Sequence, residues 1–202
     1  MIEQQTATRE SFVAGYLAGI QRCLAALSVD DVARLLSCLE RAYAEDRQVF
    51  IIGNGGSAAT ASHMACDLGK NLYPPSSAGS VRRLRVSSLT DNVSLLTALA
   101  NDCGYDQVFS QQLAIALQPD DLVIAISASG NSPNVLEALT FARGRGARTA
   151  ALLGFDGGRA RDLVDVAVVV GSRDYGQVED LHLMLNHIVA GWLRQGISGP
   201  QQ

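Results

Sequence analysis

Two pairs of a histidine and a carboxylate are the candidate metal ligands of this sequence. His63 and Asp67 are four residues apart in a helical segment, so both side chains lie on one helix face and can hold one ion. Glu179 and His187 are eight residues apart, about two turns, in a later helical segment. Imidazole nitrogens and carboxylate oxygens suit Zn²⁺, and manganese, iron, cobalt or nickel accept the same ligands. Each pair alone is also typical of packed or solvated side chains.

Two turns rich in glycine and serine each follow a short apolar run. Gly53–Ser57 follows Val49–Ile52 and lacks the spacing of a dinucleotide-binding turn or a P-loop. Ser127–Ser132 follows Leu122–Ile126 and precedes Pro133, which suits a first helical turn. Glycine lets the backbone approach an anion, and hydroxyls and helix amides donate to phosphate oxygens. The turns predict phosphate binding, and ordinary turn and cap chemistry is the alternative.

The elements that must position these residues are short apolar runs alternating with helical segments, the pattern of βα units around a parallel sheet. Ligands of such sheets sit beyond the carboxyl ends of the strands, so both turns can face one crevice. Strands are predicted at Val49–Ile52, Leu84–Val86, Leu122–Ile126, Thr149–Leu153 and Val166–Val170. Helices are predicted at Ser57–Lys70, Asn92–Cys103, Tyr105–Leu117, Pro133–Arg143 and Gly176–Leu193, and a loop at Asn71–Ser80.

Two further helices are predicted before the first strand, over Thr6–Leu27 and Ser28–Glu45. Ser28 and Asp30 supply cap chemistry between them. A chain of 202 residues without an obvious linker predicts one domain over 1–202. Within it we expect residues 47–195 to form the α/β core and residues 1–46 to serve assembly.

Composition excludes several classes of function. The chain is 48% hydrophobic and 18% charged, which fits a well-buried α/β protein. A formal net charge of −4 gives no general attraction for nucleic acid or an anionic membrane, so neither is an expected partner. No apolar run approaches the ~20 residues needed to span a bilayer, and the amino terminus does not resemble a signal peptide, so we expect a cytoplasmic protein. The four cysteines form no CxxC pair, which argues against a zinc ribbon or a thioredoxin-type redox site.

The turns Gly53–Ser57 and Ser127–Ser132 resemble those of the sugar isomerase domain family, most closely its phosphoheptose isomerase branch. The resemblance extends from about Val49 to Trp192. It implies a doubly wound, mainly parallel five-stranded sheet flanked by helices, and a homotetramer assembled through the two amino-terminal helices. The implied substrate is D-sedoheptulose 7-phosphate, and the implied product is D-glycero-D-manno-heptose 7-phosphate.

The family's zinc ligands are a His-x-x-x-Glu pair in one helix and a Gln and a His in the last helix, which match His63, Asp67, Glu179 and His187. Asp67 replaces the family's glutamate and shortens the reach by one methylene, while Glu179 replaces its glutamine and adds negative charge. The residues matching Asp67 and His187 are the family's acid/base pair. Positions implied to bind substrate are Asn54, Gly55, Gly56, Ser57, Asn101, Asp102, Ser127, Ala128, Ser129 and Ser132, together with Asp67 and Glu179.

Interconverting a ketose and an aldose phosphate moves a proton between C1 and C2 through an enediol, which requires a base, an acid and stabilisation of an oxyanion. We expect Asp67 or Glu179 to remove the carbon-bound proton and His187 to assist transfer at oxygen, while the metal polarises the carbonyl. Because His187 is then both ligand and acid, metal release or ligand exchange during turnover is left open.

Three other functions compete with this hypothesis. The replacements at Asp67 and Glu179 favour an isomerase of a different ketose phosphate. A non-catalytic scaffold similar to the replication-initiator-associating proteins shares both turns but lacks the complete ligand and acid/base set. A sugar-phosphate sensor usually carries a DNA-binding helix-turn-helix module, and the residues before the first strand contain no basic recognition helix.

Overall fold

The structure, a computed structural model, describes residues 8–72 and 82–198. Those residues form seven α-helices and five β-strands. In chain order these are α1 (Arg9–Ala26), α2 (Val29–Ala44), β1 (Gln48–Gly53), α3 (Gly56–Cys66), β2 (Arg85–Ser88), α4 (Val93–Cys103), α5 (Val108–Ala116), β3 (Leu122–Ser127), α6 (Pro133–Gly144), β4 (Arg148–Gly154), β5 (Val166–Val170) and α7 (Tyr175–Ser198).

The five strands form one parallel sheet in the order β2-β1-β3-β4-β5. The chain moves outwards from β1 to β2 and then returns to place β3 on the other side of β1. Such a reversal of strand order opens a crevice at the carboxyl ends of β1 and β3. The predicted doubly wound parallel sheet is confirmed.

Both faces of the sheet are covered, which explains why the strands are apolar without alternation. Successive side chains of a strand point to opposite faces. Ile51 and Ile124 therefore join the core beneath α2, α3 and α7, whereas Phe50 and Val123 join a second core beneath α5 and α6. The two cores hold the carboxyl ends of β1 and β3 at a fixed position between the helical layers.

The two amino-terminal helices pack differently. The hydroxyl of Ser28 accepts a hydrogen bond from the Asp31 amide at 3.1 Å and caps α2, which buries Leu35 in the first core. By contrast, α1 leaves Phe12 and Leu17 69% and 58% exposed. No single helix of the described residues is long and apolar enough to cross a membrane, and α1 with α2 passes that test only as a pair bent by 71°.

Two predicted helices have a different form. In place of a continuous helix over Ser57–Lys70, α3 ends at Cys66 and Asp67–Asn71 forms a π-helical turn. Single π turns widen a helix locally and are frequent at functional sites. The helix predicted over Tyr105–Leu117 begins with a 3-10 turn before α5.

The chain around β2 is only partly described. This edge strand covers Arg85–Ser88 rather than the predicted Leu84–Val86, since its pairing with β1 continues through two serines. Most of the predicted loop Asn71–Ser80 lies outside the described residues.

Candidate active site

The two glycine- and serine-rich turns lie together at the carboxyl edge of the sheet. Strands β1 and β3 are hydrogen-bonded neighbours, with Gly53 opposite Ile126. Because both strands are parallel, the turns that follow them leave the sheet on the same side. The crevice predicted from the strand pattern is therefore built by these two turns.

The first turn brings α3 against α7. Gly55 has a φ of 55°, a left-handed conformation that glycine adopts without strain, and no side chain caps the α3 amides. A Cβ atom at Gly56 would collide with the carboxylate of Glu179 on α7. Glycine at this position thus allows the Glu179 side chain to lie against the beginning of α3.

The second turn is held by its own serines. The Ser127 hydroxyl accepts a hydrogen bond from the Gly130 amide at 3.1 Å, and the Ser129 hydroxyl accepts one from the Asn131 amide at 3.2 Å. Ser132 begins α6 but makes no side-chain cap bond. A hydroxyl that accepts from an amide keeps its own proton for donation, so all three serines can donate to an anion.

A cavity of about 140 Å³ lies between the two turns and α7. Its lining carries four serine hydroxyls and one carboxylate, with no lysine or arginine among the residues that form it. The lining residues are Asn54, Ser57, Ser127, Ala128, Ser129, Ser132, Tyr175 and Glu179. All of them except Tyr175 belong to the set expected to bind substrate, and Gly55 and Gly56 shape the first turn beside it.

An asparagine pair joins the two turns behind this cavity. Asn54 and Asn134 each donate an amide hydrogen bond of 2.9 Å to the other, and Tyr105 donates a third bond to the Asn54 Oδ1 at 2.9 Å. Asn134 is only 2% exposed. Sequence reasoning missed Asn134, whose signal was its place in the first turn of α6, directly after the turn Ser127–Ser132.

The predicted metal ligands His63, Asp67 and His187 converge between α3 and α7. The Asp67 Oδ2 is 3.3 Å from the His63 Nε2 and 3.9 Å from the His187 Nε2, and the ligand atoms of all three residues lie within 4.8 Å of one another. The Asp67 side chain is 8% exposed, whereas those of His63 and His187 are 45% and 57% exposed. Three N and O ligands with an open side fit the donor set of a catalytic zinc site.

Glu179 lies apart from this cluster. The structure places its carboxylate in the serine-lined cavity, against Gly56 and beside Ser57, and the described metal-ligand cluster contains only the other three candidates. Its predicted contact with substrate is compatible with this position. Its predicted role as the fourth metal ligand stays a prediction.

The cavity and the metal-ligand cluster lie along the same two helices. Ser57 precedes His63 by six residues on α3, a rise of about 9 Å, and Glu179 precedes His187 by eight residues on α7, a rise of about 12 Å. The serine-lined cavity, which can bind an anion, and the cluster of titratable side chains are thus separated by roughly the length of one extended small molecule.

Asn101 and Asp102, also expected to bind the sugar, lie elsewhere. Both are exposed at the end of α4, where the Asn101 amide donates to the Asp102 carboxylate at 2.7 Å. Neither is among the residues that line the serine cavity. The structure of the single chain therefore does not bring them to the other candidates.

Two titratable side chains have shifted pKa values, Tyr16 on α1 and His182 on α7. The Tyr16 hydroxyl donates to the Asp180 carboxylate at 2.6 Å, which raises the pKa of Tyr16 to about 12 and attaches α1 beside Glu179. Burial lowers the pKa of His182 to about 4. His182 is thus neutral and inside the core, and it is not one of the predicted metal ligands.

Comparison with known proteins adds independent information. The family described as SIS domain matches residues 15–154. A phosphoheptose isomerase from Pelobacter propionicus is 40% identical over 178 residues, which cover 88% of this chain and 89% of that protein. The structure of a phosphoheptose isomerase from Neisseria gonorrhoeae, 29% identical, superposes with a TM-score of 0.81 over 91% of this chain and 95% of that one. A phosphoheptose isomerase from Francisella tularensis, at 24% identity and a TM-score of 0.81, supports the fold alone.

Proposed function

This chain belongs to the SIS domain family, in its phosphoheptose isomerase branch, and we propose that it interconverts D-sedoheptulose 7-phosphate and D-glycero-D-manno-heptose 7-phosphate. As a member of that branch it is an aldose-ketose isomerase of sugar phosphates. The proposal is carried by one observation: the serine-lined cavity and the His63, Asp67 and His187 cluster lie about 9–12 Å apart along α3 and α7. In a heptulose 7-phosphate, the phosphate and the reacting carbons are at opposite ends of the seven-carbon chain.

The serine cavity would hold the phosphate. Hydroxyls of Ser57, Ser127, Ser129 and Ser132 donate to its oxygens, and the uncapped beginning of α3 adds backbone amides and a partial positive charge. Glu179 accepts hydrogen bonds from sugar hydroxyls next to the phosphate. Anchoring one end of the substrate places C1 and C2 reproducibly near the histidine cluster.

His63, Asp67 and His187 would hold Zn²⁺ or another divalent transition metal. When bound there, such an ion polarises the substrate carbonyl and stabilises negative charge on its oxygen. Asp67 takes the proton from C1 of the ketose and returns a proton to C2 of the enediol. His187, the more exposed imidazole, moves the proton between the two substrate oxygens.

The choice of Asp67 over Glu179 as the carbon base follows from their positions. Glu179 lies at the phosphate end of the site, against Gly56, whereas Asp67 lies between the two imidazoles at the other end. A base must be within hydrogen-bond reach of the proton it removes. With the phosphate among the serines, Asp67 is the carboxylate near C1.

The experiment is an isomerase assay on metal-free and metal-loaded protein. Purified protein is stripped with a chelator, reloaded with Zn²⁺, Mn²⁺ or Co²⁺ in turn, and offered ketose phosphates of five, six and seven carbons. We expect turnover only after reloading, with the highest kcat/KM for sedoheptulose 7-phosphate. Equal activity of stripped and reloaded protein would contradict the metal-assisted mechanism.

A different ketose phosphate is the second candidate substrate. Asp67 and Glu179 stand where the branch has glutamate and glutamine, so both the reach of the base and the charge of the cavity differ. A higher kcat/KM for the five- or six-carbon ketose phosphate in the same panel would favour this candidate and leave the isomerase chemistry intact.

Assembly and location complete the proposal. We propose a homotetramer formed through α1, because Phe12, Val13 and Leu17 project from that helix as an exposed apolar strip. A further copy of the chain would cover this strip. The expectation of a cytoplasmic protein without nucleic-acid or membrane partners stays a prediction.

A further inference from the structure

Asn186 occupies an unusual position beside the histidine cluster. It precedes His187 on α7, is fully buried, and donates an amide hydrogen bond of 2.8 Å to the Asp67 Oδ2. The same oxygen faces both imidazoles, at 3.3 Å from the His63 Nε2 and 3.9 Å from the His187 Nε2. The Asp67 Oδ2 thus accepts a hydrogen bond from the buried Asn186 amide and faces the two histidines on its more exposed side.

The orientation of the Asn186 amide follows from this contact. An ionised carboxylate only accepts hydrogen bonds, so the Asn186 NH2 group must face Asp67 and its Oδ1 must point away. That Oδ1 is buried without a hydrogen-bond partner among the described residues. An unpartnered buried acceptor costs free energy, which offsets part of what the Asn186–Asp67 hydrogen bond contributes to folding.

We propose that Asn186 is a positioning residue, which fixes the Asp67 carboxylate in the orientation that places its Oδ2 between His63 and His187. The inference rests on the proposed function only in taking these three residues as a metal site. Hydrogen bonds that orient a metal ligand typically change metal affinity by about 10- to 100-fold. Asn186 is therefore expected to raise metal affinity and kcat without contacting substrate.

The first test measures metal binding without any substrate. Wild type, Asn186→Leu and Asn186→Ala are titrated with Zn²⁺ against a chromophoric chelator, and with Co²⁺ by its visible absorption. Leucine keeps the branching of the asparagine side chain at Cγ but is larger, and alanine provides a second variant in case the leucine variant does not fold. We expect Zn²⁺ affinity to fall about 10- to 100-fold in both variants. Tm of the metal-free protein is expected to fall as well, because the buried Asp67 carboxylate loses a hydrogen-bond donor.

Gln112 provides the matched control. It is another buried amide, on α5, and donates to the Leu89 and Val108 carbonyls rather than to the site. Gln112→Leu is expected to lower Tm and leave Zn²⁺ affinity unchanged. Asn186→Gln, which keeps an amide donor, is expected to recover part of the lost affinity.

Kinetics at saturating metal separate positioning from packing. We expect Asn186→Leu to lower kcat about ten-fold with KM changed less than about three-fold, since the substrate contacts remain in place. Zn²⁺ affinity of Asn186→Leu and Asn186→Ala within about three-fold of wild type overturns the proposal, as does a wild-type protein that binds no metal. If the Asn186 variants bind Zn²⁺ as tightly as an active wild-type isomerase does, this inference alone is refuted. If the wild type binds metal but has no isomerase activity, only the proposed function is refuted.

Discussion

Asn54 and Asn134 are 80 residues apart in sequence and exchange two amide hydrogen bonds of 2.9 Å behind the serine-lined cavity. Asn54 belongs to the turn after β1 and Asn134 to the first turn of α6 after β3. The pair therefore joins the two halves of the proposed phosphate site. Reciprocal bonds between the buried Asn134 amide and the partly buried Asn54 amide specify both the separation and the relative orientation of the turns.

Breaking this pair is expected to weaken both folding and phosphate binding. Asn134→Ala leaves the Asn54 amide without its partner, which costs about 1–3 kcal/mol of unfolding free energy and lets the turns separate. We expect KM for the sugar phosphate to rise about ten-fold, measured by steady-state kinetics beside urea denaturation. Tyr105→Phe removes only the third bond and serves as the milder control. An unchanged KM in Asn134→Ala would show that the pair does not position the site.

Ser132 offers a cleaner separation of binding from stability. Serine at a helix start commonly stabilises the helix by about 1 kcal/mol, but Ser132 makes no cap bond. Ser132→Ala is therefore expected to cost less than about 0.5 kcal/mol in stability and to raise KM at least about ten-fold.

Ser28→Ala is the matched control for Ser132→Ala. The Ser28 hydroxyl does cap α2, by accepting from the Asp31 amide, and Ser28 does not line the cavity. This variant is expected to lose about 1 kcal/mol of unfolding free energy and keep KM. A Ser132→Ala protein with normal KM and reduced stability would assign Ser132 to folding instead of phosphate binding.

The fold and much of the site were predictable because their signals are local. Apolar runs ending at Gly53 and Ser127 predicted the strands and both turns, and the spacing of His63 and Asp67 predicted two candidate ligands on one helix face. The sequence could not distinguish the positions of Glu179 and His187, because helical spacing does not tell which end of a helix faces which neighbour.

The contacts that sequence reasoning missed are tertiary. Asn186 lies 119 residues after Asp67, and no periodic pattern joins them. The break of the predicted helix at Cys66 was also missed, although the π turn that follows it contains Gly69 and Asn71, which have low helix propensity and are common where helices end. Asn101 and Asp102, whose substrate contacts are implied by family resemblance, are exposed and do not line the cavity in the described single chain, so their contact with substrate stays a prediction.

The buried His182 predicts a specific dependence of stability on pH. Its folded-state pKa of about 4 lies below the ordinary value of 6.5. Between these values the unfolded chain binds a proton that the folded chain does not, so the unfolding free energy falls as pH falls from about 6.5. The loss approaches about 3 kcal/mol near pH 4 and does not grow further below it.

Urea denaturation from pH 7.5 to 4 in the presence of a chelator measures this dependence. His182→Leu removes the titrating group, so its stability is expected to fall less steeply over this range. Parallel pH curves for wild type and His182→Leu would show that other groups cause the acid destabilisation.

The exposed apolar strip of α1 predicts a change of assembly. Phe12→Glu combined with Leu17→Glu places charge in the proposed contact between chains and is expected to lower the mass in light scattering from that of a tetramer. Ile115→Glu on α5, where the side chain is 70% exposed, tests the same change outside the strip and should leave the tetramer intact. A monomeric wild type, or a tetrameric double variant, would contradict assembly through α1.

Deuterium incorporation from solvent tests most directly whether Asp67 transfers the proton between C1 and C2. Wild type and Asp67→Asn are incubated with sedoheptulose 7-phosphate and saturating Zn²⁺ in D₂O, and the products are followed by ¹H and ²H NMR. We predict aldose 7-phosphate carrying solvent deuterium at C2 from the wild type, at a rate at least about 100-fold above that of Asp67→Asn. Aldose formation by Asp67→Asn at the wild-type rate would contradict the assignment of Asp67 as the base between His63 and His187.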